Sequence, residues 1–535
     1  DIISLDPSAR SLPLKQAYQV LSTGHASVHS MKGRDGKHGK SILAPKAPRK
    51  RASEASPRPP VAKRVRLTSK RSQASLDAEL SPKAASVAGG VSLEAREALE
   101  RLRCSLRKPV REGRMPGIAA CAFIGGGLRF VEEYGFADME RGTPMTCATR
   151  MRIYSMTKCV VACAVCQLVD KGLIGLDDAL GDHLPAFRDA WVIGEGKGGR
   201  PDWKQRVPAR QPIRIRHLLT HTSGMACGLA KGLDGPWKRS AYERAWANIY
   251  APLVERVEGG KIPSLHAWAQ ELAKLPLVQH PGVGYEYGYS YDVLGHLVEV
   301  KTGVSLVEYL ERHIFTPLGM HDTAFDVASA TDDRLAVLYR YTDAVRFGGD
   351  AKSPKLVRVD PVKPGSPSRW AAICRVPSGG GALTNLEGGL LTTLEDYACF
   401  LLAVVSGGTH PVSKARILSP ASAEEMLADQ TARLEAQPPK TASPYGNPGL
   451  GLCCMGEVLR DGCTIDKWFD GVVGVRQWGG AASTAFKFEG ACGGRRDLLT
   501  IVFTQVLPQD DGDTISKLHC GMREIAEEEL AASGA

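Results

Sequence analysis

The chain lacks the features that would carry it across a membrane. No stretch approaches the roughly 20 apolar residues needed to span a bilayer. The longest apolar run, residues 159–169, is too short and is broken by Gln167. The N-terminus has no continuous apolar core of the signal-peptide kind. Fourteen cysteines are present, but none sits in a CxxC pair with a matching partner. Cys163 and Cys166 have that spacing inside an apolar helical run, and Cys453 and Cys454 are adjacent. This argues against a zinc or disulfide framework and reads the thiols as small buried apolar residues in a reducing compartment. An H-E-x-x-H pattern is absent. The run Gly379-Gly380-Gly381 lacks the P-loop lysine, which argues against nucleotide binding. Gly-x-Ser-x-Gly is absent too: Gly288-Tyr289-Ser290-Tyr291-Asp292 comes closest and lacks the final glycine. No cofactor and no metal are expected.

Acidic residues are scarce at the N-terminal end. Residues 1–90 hold 17 Lys+Arg against 6 Asp+Glu, so the formal net charge of +10 belongs to this tail and the remainder is close to neutral. The tail is rich in Lys, Arg, Ser, Pro and Ala and almost devoid of aromatics. It buries too little apolar surface to offset chain entropy and is expected to be disordered. Within it, Lys50-Arg51 precedes Lys63-Arg64-Val65-Arg66 by an 11-residue spacer. That resembles a bipartite nuclear import signal, which would contact an import receptor. A plain solvated basic tail fits equally, and an organelle transit peptide is a third reading that the prolines weaken. The expected location is intracellular, cytoplasmic or nuclear. The sequence begins at Asp1, and Met31 is a candidate start.

Beyond the tail, 43% hydrophobic and 24% charged residues overall supply ample material for a core. Residues 92–107 have helical periodicity, with Leu93, Ala95, Leu99 and Leu102 on one side. Residues 118–124 and 128–134 read as a strand pair joined by Gly125-Gly126-Gly127. A mostly helical middle follows, and residues 484–488 and 498–506 read as strands before a charged helix over 514–532. This order predicts an α+β fold: the first and last thirds share one antiparallel sheet flanked by helices, with an all-helical subdomain inserted between them. The catalytic domain is expected over 91–535, its α/β part over about 91–185 and 385–535 and the insert over about 186–384. Residues 194–211 and 348–381 read as long Gly/Pro/basic-rich loops.

The strongest single feature is Tyr154-Ser155-Met156-Thr157-Lys158 leading into the apolar run. A helix apolar all round is buried. Ser155 and Lys158, three apart, share one face at its start. Burying an ammonium is costly unless it is paired or gives up its proton, and a lysine so placed beside a hydroxyl is a base that can activate it. Helix N–H groups there point at developing negative charge. The spacing alone is weak evidence, because Ser105-Leu106-Arg107-Lys108 has it too, at the end of a charged helix where it reads as surface.

Arg152-Ile153-Tyr154-Ser155-Met156-Thr157-Lys158 resembles the nucleophile motif of the serine β-lactamase-like, penicillin-recognising superfamily, of the class C β-lactamase and family VIII carboxylesterase type. Pro116-Gly117 and Gly135-Phe136-Ala137-Asp138 upstream are similar to its opening strands. Ile215 to Gly224, then Phe315-Thr316-Pro317-Leu318-Gly319-Met320 and Leu394-Glu395-Asp396-Tyr397, follow in the family's order, so that the resemblance spans roughly residues 112 to 508. It implies that Tyr287, in Tyr285-Glu286-Tyr287-Gly288-Tyr289, relays protons. Tyr289 stands where β-lactamases of this type carry asparagine, and it is expected to present a different surface to substrate. Trp478-Gly479-Gly480 fills the place of Lys-Thr-Gly and resembles the esterase branch; two glycines allow a ligand close to the strand backbone. By resemblance the N–H groups of Ser155 and Ala481 form the oxyanion hole. Loss of the cation at Trp478 points away from β-lactam or peptide carboxylate recognition and towards a neutral small-molecule ester. Taken on its own, Trp478 reads equally as a buried tryptophan beside a Gly-rich turn, and Tyr287 as one half-buried aromatic among several. His217 and His221 are i and i+4, but no further ligand completes a metal set, so both read as structural.

The expected activity is a two-step serine esterase with Ser155 as nucleophile and Lys158 and Tyr287 as acid/base. An acyltransferase with the same site, a β-lactamase or D-alanyl-D-alanine peptidase, and a non-enzymatic assembly scaffold are the alternatives.

Overall fold

The computed structural model of the chain describes residues 93–195, 201–226, 241–258, 261–325, 334–341, 356–359, 389–430, 449–450, 457–458, 475–491, 497–507 and 513–532. The basic tail, the 379–381 glycine run and most of the 348–381 segment lie outside them.

Helix α1 (Leu93–Arg111) leads into strands β1 (Gly117–Ile124) and β2 (Gly127–Asp138). Gly125 and Gly126 make the turn with φ of 59° and 73°, a left-handed conformation that glycine adopts without a steric cost. Helix α2 (Thr157–Asp170) follows, then hairpin β3 (Trp191–Glu195) and β4 (Pro201–Pro208). The helices α3 (Ile215–Leu219), α4 (Ala241–Glu258), α5 (Leu265–Leu272), α6 (Ser290–Thr302) and α7 (Leu394–Val405) come next. The chain closes with β5 (Arg476–Gly480), β6 (Thr484–Glu489), β7 (Leu498–Phe503) and helix α8 (Asp513–Ala532).

The main sheet is antiparallel throughout, in the order Gly449–Leu450, Glu457–Val458, β5, β6, β7, β1, β2, Thr143–Pro144. The two ends of the chain therefore meet at β1 and β7, with Ala119 opposite Phe503 and Cys121 opposite Ile501. All eight residues of β1 are buried, because both faces of the sheet are covered. Successive strand side chains point to opposite faces. Ala119, Cys121 and Phe123 pack on the large core around α2, whereas Ile118, Ala120, Ala122 and Ile124 join Leu102 and Leu106 of α1 and Ile515, Leu518 and Met522 of α8. This is an α+β fold with three layers.

Polar groups also tie α8 to the sheet. Glu489 at the end of β6 accepts from Arg523 Nε at 2.8 Å and lies 3.6 Å from the His519 ring. Burial raises a carboxyl, but the contacts with His519 and Arg523 outweigh it and hold Glu489 down at about 2. An unfolded glutamate titrates near 4.3, so this pairing stabilises fully above that pH and is lost as pH falls through it towards 2. Thermal unfolding is expected to show a Tm that drops between pH 5 and pH 3 by more in the wild type than in Glu489→Gln, with about 1–3 kcal/mol at stake. Equal pH dependence in both proteins would remove Glu489 as a source of acid lability.

The segment between the two halves of the sheet is not all helical. Residues 194–195 and 201–208, expected as part of a loop, belong to the strands of the β3–β4 hairpin, with Val192 opposite Val207. The β-favouring run Trp191-Val192-Ile193 finds backbone partners at Leu277: Ile193 N–H donates to its carbonyl at 2.9 Å and its N–H donates to Trp191 at 2.7 Å. Tertiary pairing overrides the Gly/Pro signal. Short strands Tyr339–Tyr341 and Leu356–Arg358 also fall in this segment. The expected apolar helix, in contrast, is present: every residue of α2 from 157 to 168 is buried. Cys121, Cys147, Cys159, Cys163 and Cys166 are buried thiols, and burial pushes those of Cys121, Cys163 and Cys166 well above the ordinary thiol range.

Candidate functional site

Ser155 lies in a 3₁₀ turn, Tyr154–Met156, that runs directly into α2. The residue before it, Tyr154, has φ of 46°, a region unfavourable for a bulky side chain and worth about 1–3 kcal/mol of strain. Such a turn survives only if its surroundings over-determine it, and they do. The Tyr154 ring is buried against Leu338 and Ala482. Gln505 clasps Arg152 twice, accepting from its N–H at 3.2 Å and donating to its carbonyl at 3.0 Å. Ile153 N–H donates to Leu390 at 3.1 Å, and Leu390 N–H donates to Thr157 Oγ1 at 3.0 Å. Tyr397 of α7 donates its hydroxyl to the Met156 carbonyl at 3.0 Å. Trp478 Nε1 donates to the carbonyl of Ser155 itself at 3.0 Å.

The half-buried Ser155 hydroxyl is the meeting point of two further side chains. Lys158, one helical turn on and only 3% exposed, donates from Nζ to Ser155 Oγ at 3.2 Å. Tyr287, 132 residues away in sequence, brings its Oη to 2.5 Å from the same oxygen. Lys158 Nζ is also 4.8 Å from the centre of the Tyr287 ring. An amine, a phenol and a primary hydroxyl thus share one hydrogen-bonded corner. Such a corner can deprotonate the hydroxyl and pass the proton on.

Tyr287 is held by the stretch 217–226. Glu286 N–H donates to the His221 carbonyl at 2.8 Å, Gly282 N–H to Thr222 at 2.8 Å, and Val278 N–H to Gly224 at 2.8 Å. Ser223 and Ser290 hydroxyls are 2.8 Å apart, and Tyr291 donates to the Leu219 carbonyl at 2.7 Å. Gly288 passes so close to Met225 that a Cβ there would collide with the Met225 carbonyl.

Strand β5 forms the third side. A Cβ on Gly480 would collide with the Ile153 carbonyl, so glycine lets this strand end approach the nucleophile turn. Gly479 is half-buried, and Ala481 is exposed in the turn that follows. The Trp478 ring lies 6.2 Å from that of Tyr287 and makes an apolar wall where a cation was expected to be missing. Its N–H is engaged by the Ser155 backbone, which the sequence did not foretell.

Tyr289 departs from the expectation of a substrate-facing phenol. It is 2% exposed, with its ring edge-on to Trp268 at 4.9 Å and 6.2 Å from Tyr250. As the residue that precedes α6 it turns its ring into the apolar interior of the insert, where burial of a large aromatic is favourable, and so it belongs to the core.

His217 and His221 separate in role. His217 Nδ1 accepts from Arg214 N–H at 3.1 Å and caps α3; burial and then the Arg214 charge lower it to about 4. His221, also buried, has φ of 54°. Its ring lies 4.6 Å from that of Tyr287, 5.1 Å from Tyr291 and 5.9 Å from Tyr285. Burial and then the nearby Lys158 charge push it well below the usual histidine range. The sequence reading missed this contact, because only folding brings residue 221 to residue 287. Among the described residues, no group of three or more His, Cys, Asp or Glu side chains is arranged to hold a metal ion, and no helix is long and apolar enough to cross a membrane.

Comparison with known proteins agrees with this architecture. Residues 100–494 match the family model described as Beta-lactamase. Esterase EstB of Burkholderia gladioli is 29% identical over 404 residues, 75% of this chain and 90% of the esterase. Acyltransferase calJ of Penicillium decumbens is 28% identical over 354 residues, 62% of this chain and 71% of the acyltransferase. The LovD9 mutant of simvastatin synthase (LovD) from Aspergillus terreus superposes with a TM-score of 0.58 at 22% identity, over 81% of this chain and 100% of that one, which establishes the shared fold. With its mixed α+β architecture and a family match over most of its length, the chain belongs to the beta-lactamase family of serine hydrolases and acyltransferases.

Proposed function

We propose that the chain is a carboxylic ester hydrolase that works through an acyl-enzyme on Ser155. The observation that carries this reading is the single oxygen, Ser155 Oγ, contacted by both Lys158 Nζ at 3.2 Å and Tyr287 Oη at 2.5 Å. In the first step Ser155 Oγ bonds to the ester carbonyl carbon and loses its proton to Lys158, directly or through Tyr287. The carbonyl oxygen becomes an oxyanion that the N–H groups of Ser155 and Ala481 stabilise, the role that pre-aimed backbone donors play in acyl transfer. The C–O bond to the alcohol breaks, and the alkoxide leaves with the proton held by the pair. Water then adds to the acyl-enzyme, gives its proton to the same pair, and Ser155 departs reprotonated, which releases the acid. No step needs a metal or an organic cofactor.

Two features favour an ester over a β-lactam or a peptide carboxylate. Trp478 stands where the family's lysine would bind a carboxylate, and its wall against Tyr287 is apolar. Similarity to an esterase over three quarters of the chain supports the same choice. The purified chain is expected to release p-nitrophenol from short p-nitrophenyl esters and, on acid quench, to carry one added acyl mass on the peptide containing Ser155. It is expected to leave a chromogenic cephalosporin intact. Cephalosporin cleavage with no ester turnover would overturn the ester assignment. Similarity to an acyltransferase favours one second reading, transfer of the acyl group to an alcohol or amine. Product analysis with added acceptors separates the two.

A further inference from the structure

We propose that His221 is a positioning residue for Tyr287: its imidazole is the surface against which the phenol stacks, and its backbone anchors the loop that delivers the phenol to Ser155. The proposal rests on the Ser155/Lys158/Tyr287 reading and adds a fourth member to that site.

One contact reaches the Tyr287 ring from His221, and a second reaches the residue before it. The imidazole and phenol rings lie 4.6 Å apart with planes inclined by 35°, within the range of favourable offset aromatic packing. One residue upstream of Tyr287, the Glu286 N–H donates to the His221 carbonyl at 2.8 Å. Ring and backbone are thus held by a common support. That support is itself rigid. His221 is 2% exposed, its ring is also flanked by Tyr285 and Tyr291, and Tyr291 is tied through its hydroxyl to the Leu219 carbonyl. The left-handed backbone, φ of 54°, is an unfavourable choice for a non-glycine residue, and here it accompanies a side chain packed on the acid/base partner.

Charge fits the same role. Burial and then the neighbouring Lys158 charge hold the ring well below the usual histidine range, so it serves beside the amine as a flat, dry wall. Without the ring, Tyr287 would border a void of imidazole size, and its hydroxyl could leave Ser155 Oγ. A displacement of about 1 Å in a catalytic group can cost on the order of 100-fold in rate.

The test is a double-mutant cycle read by the second-order rate of Ser155 labelling with a fluorophosphonate, made with the full chain. His221→Asn removes the ring yet keeps a residue type that tolerates the left-handed backbone. His221→Asn is expected to slow labelling at least 10-fold in the wild-type background and less than 3-fold in a Tyr287→Phe background, because a residue acting through the phenol has nothing to act on once the hydroxyl is gone. His221→Phe, which restores a flat ring, is expected to recover most of the lost rate. An equal slowing in both backgrounds, or wild-type labelling by His221→Asn, would overturn the proposal. If Tyr287→Phe alone labels like the wild type, the Tyr287 assignment fails and this one with it. If Tyr287→Phe is slow and Ser155→Ala is unlabelled while His221→Asn is unaffected, the site stands and His221 alone is excluded.

Discussion

Ser155→Ala is expected to abolish covalent labelling by a fluorophosphonate and to cut ester turnover on the order of 10⁴- to 10⁶-fold, the range found when a serine nucleophile is removed. The substitution deletes one oxygen, and that oxygen is the acceptor for Lys158 Nζ and the partner of Tyr287 Oη. In the proposed mechanism, what remains is a set of backbone donors and an acid/base pair with nothing to activate. The turn itself should persist. Its supports come from Gln505, Leu390, Tyr397 and Trp478, and each holds residue 155 or a neighbour without using the Ser155 hydroxyl. The circular dichroism spectrum and Tm are therefore expected to match the wild type within a few degrees. Strong labelling that survives Ser155→Ala would place the nucleophile elsewhere.

Lys158→Met is the second large effect, with a signature of its own. Methionine is close to lysine in stem length and replaces the amine with an apolar group. Lys158 is 3% exposed at the start of a helix buried along its length, where holding a charge is unfavourable. Removing it is expected to lower the acylation rate by about 10²- to 10⁴-fold, the usual contribution of a positioned proton acceptor, while Tm stays level or rises. Stability and activity would move in opposite directions, as happens where a site retains a destabilising group for its chemistry. A fall in Tm of several degrees together with near-normal acylation would show that Lys158 serves the fold.

Much of this could be read from residue order. The all-apolar run after Lys158 has no polar face to offer water, so α2 had to be buried, and the serine and amine three residues apart had to lie on one face. The alternation of β1 was harder to see, since both faces of the sheet are covered and the strand reads as a continuous apolar run. The β3–β4 hairpin was not legible: its glycines and prolines signal a loop locally, and the pairing partner of Val192 at Leu277 lies 85 residues further along. Tyr289 misled because a motif position specifies where a residue stands in the chain, not where its ring points. Its neighbours Trp268 and Tyr250 come from other helices.

The local chemistry was therefore written in the order of the residues: a hydroxyl and an amine one helical turn apart, at the mouth of an apolar helix, followed by blocks that resemble one family. That Tyr287 is the phenol for that hydroxyl was implied by the resemblance and by no local period; which indole grips the serine backbone and which histidine stacks behind the phenol came from folding alone. Helical neighbours are set by a period of 3.6 residues and can be counted along the chain. Contacts between residues 155, 221, 287 and 478 depend on how an inserted subdomain packs against a sheet built from both ends of the chain, and no short-range period encodes that.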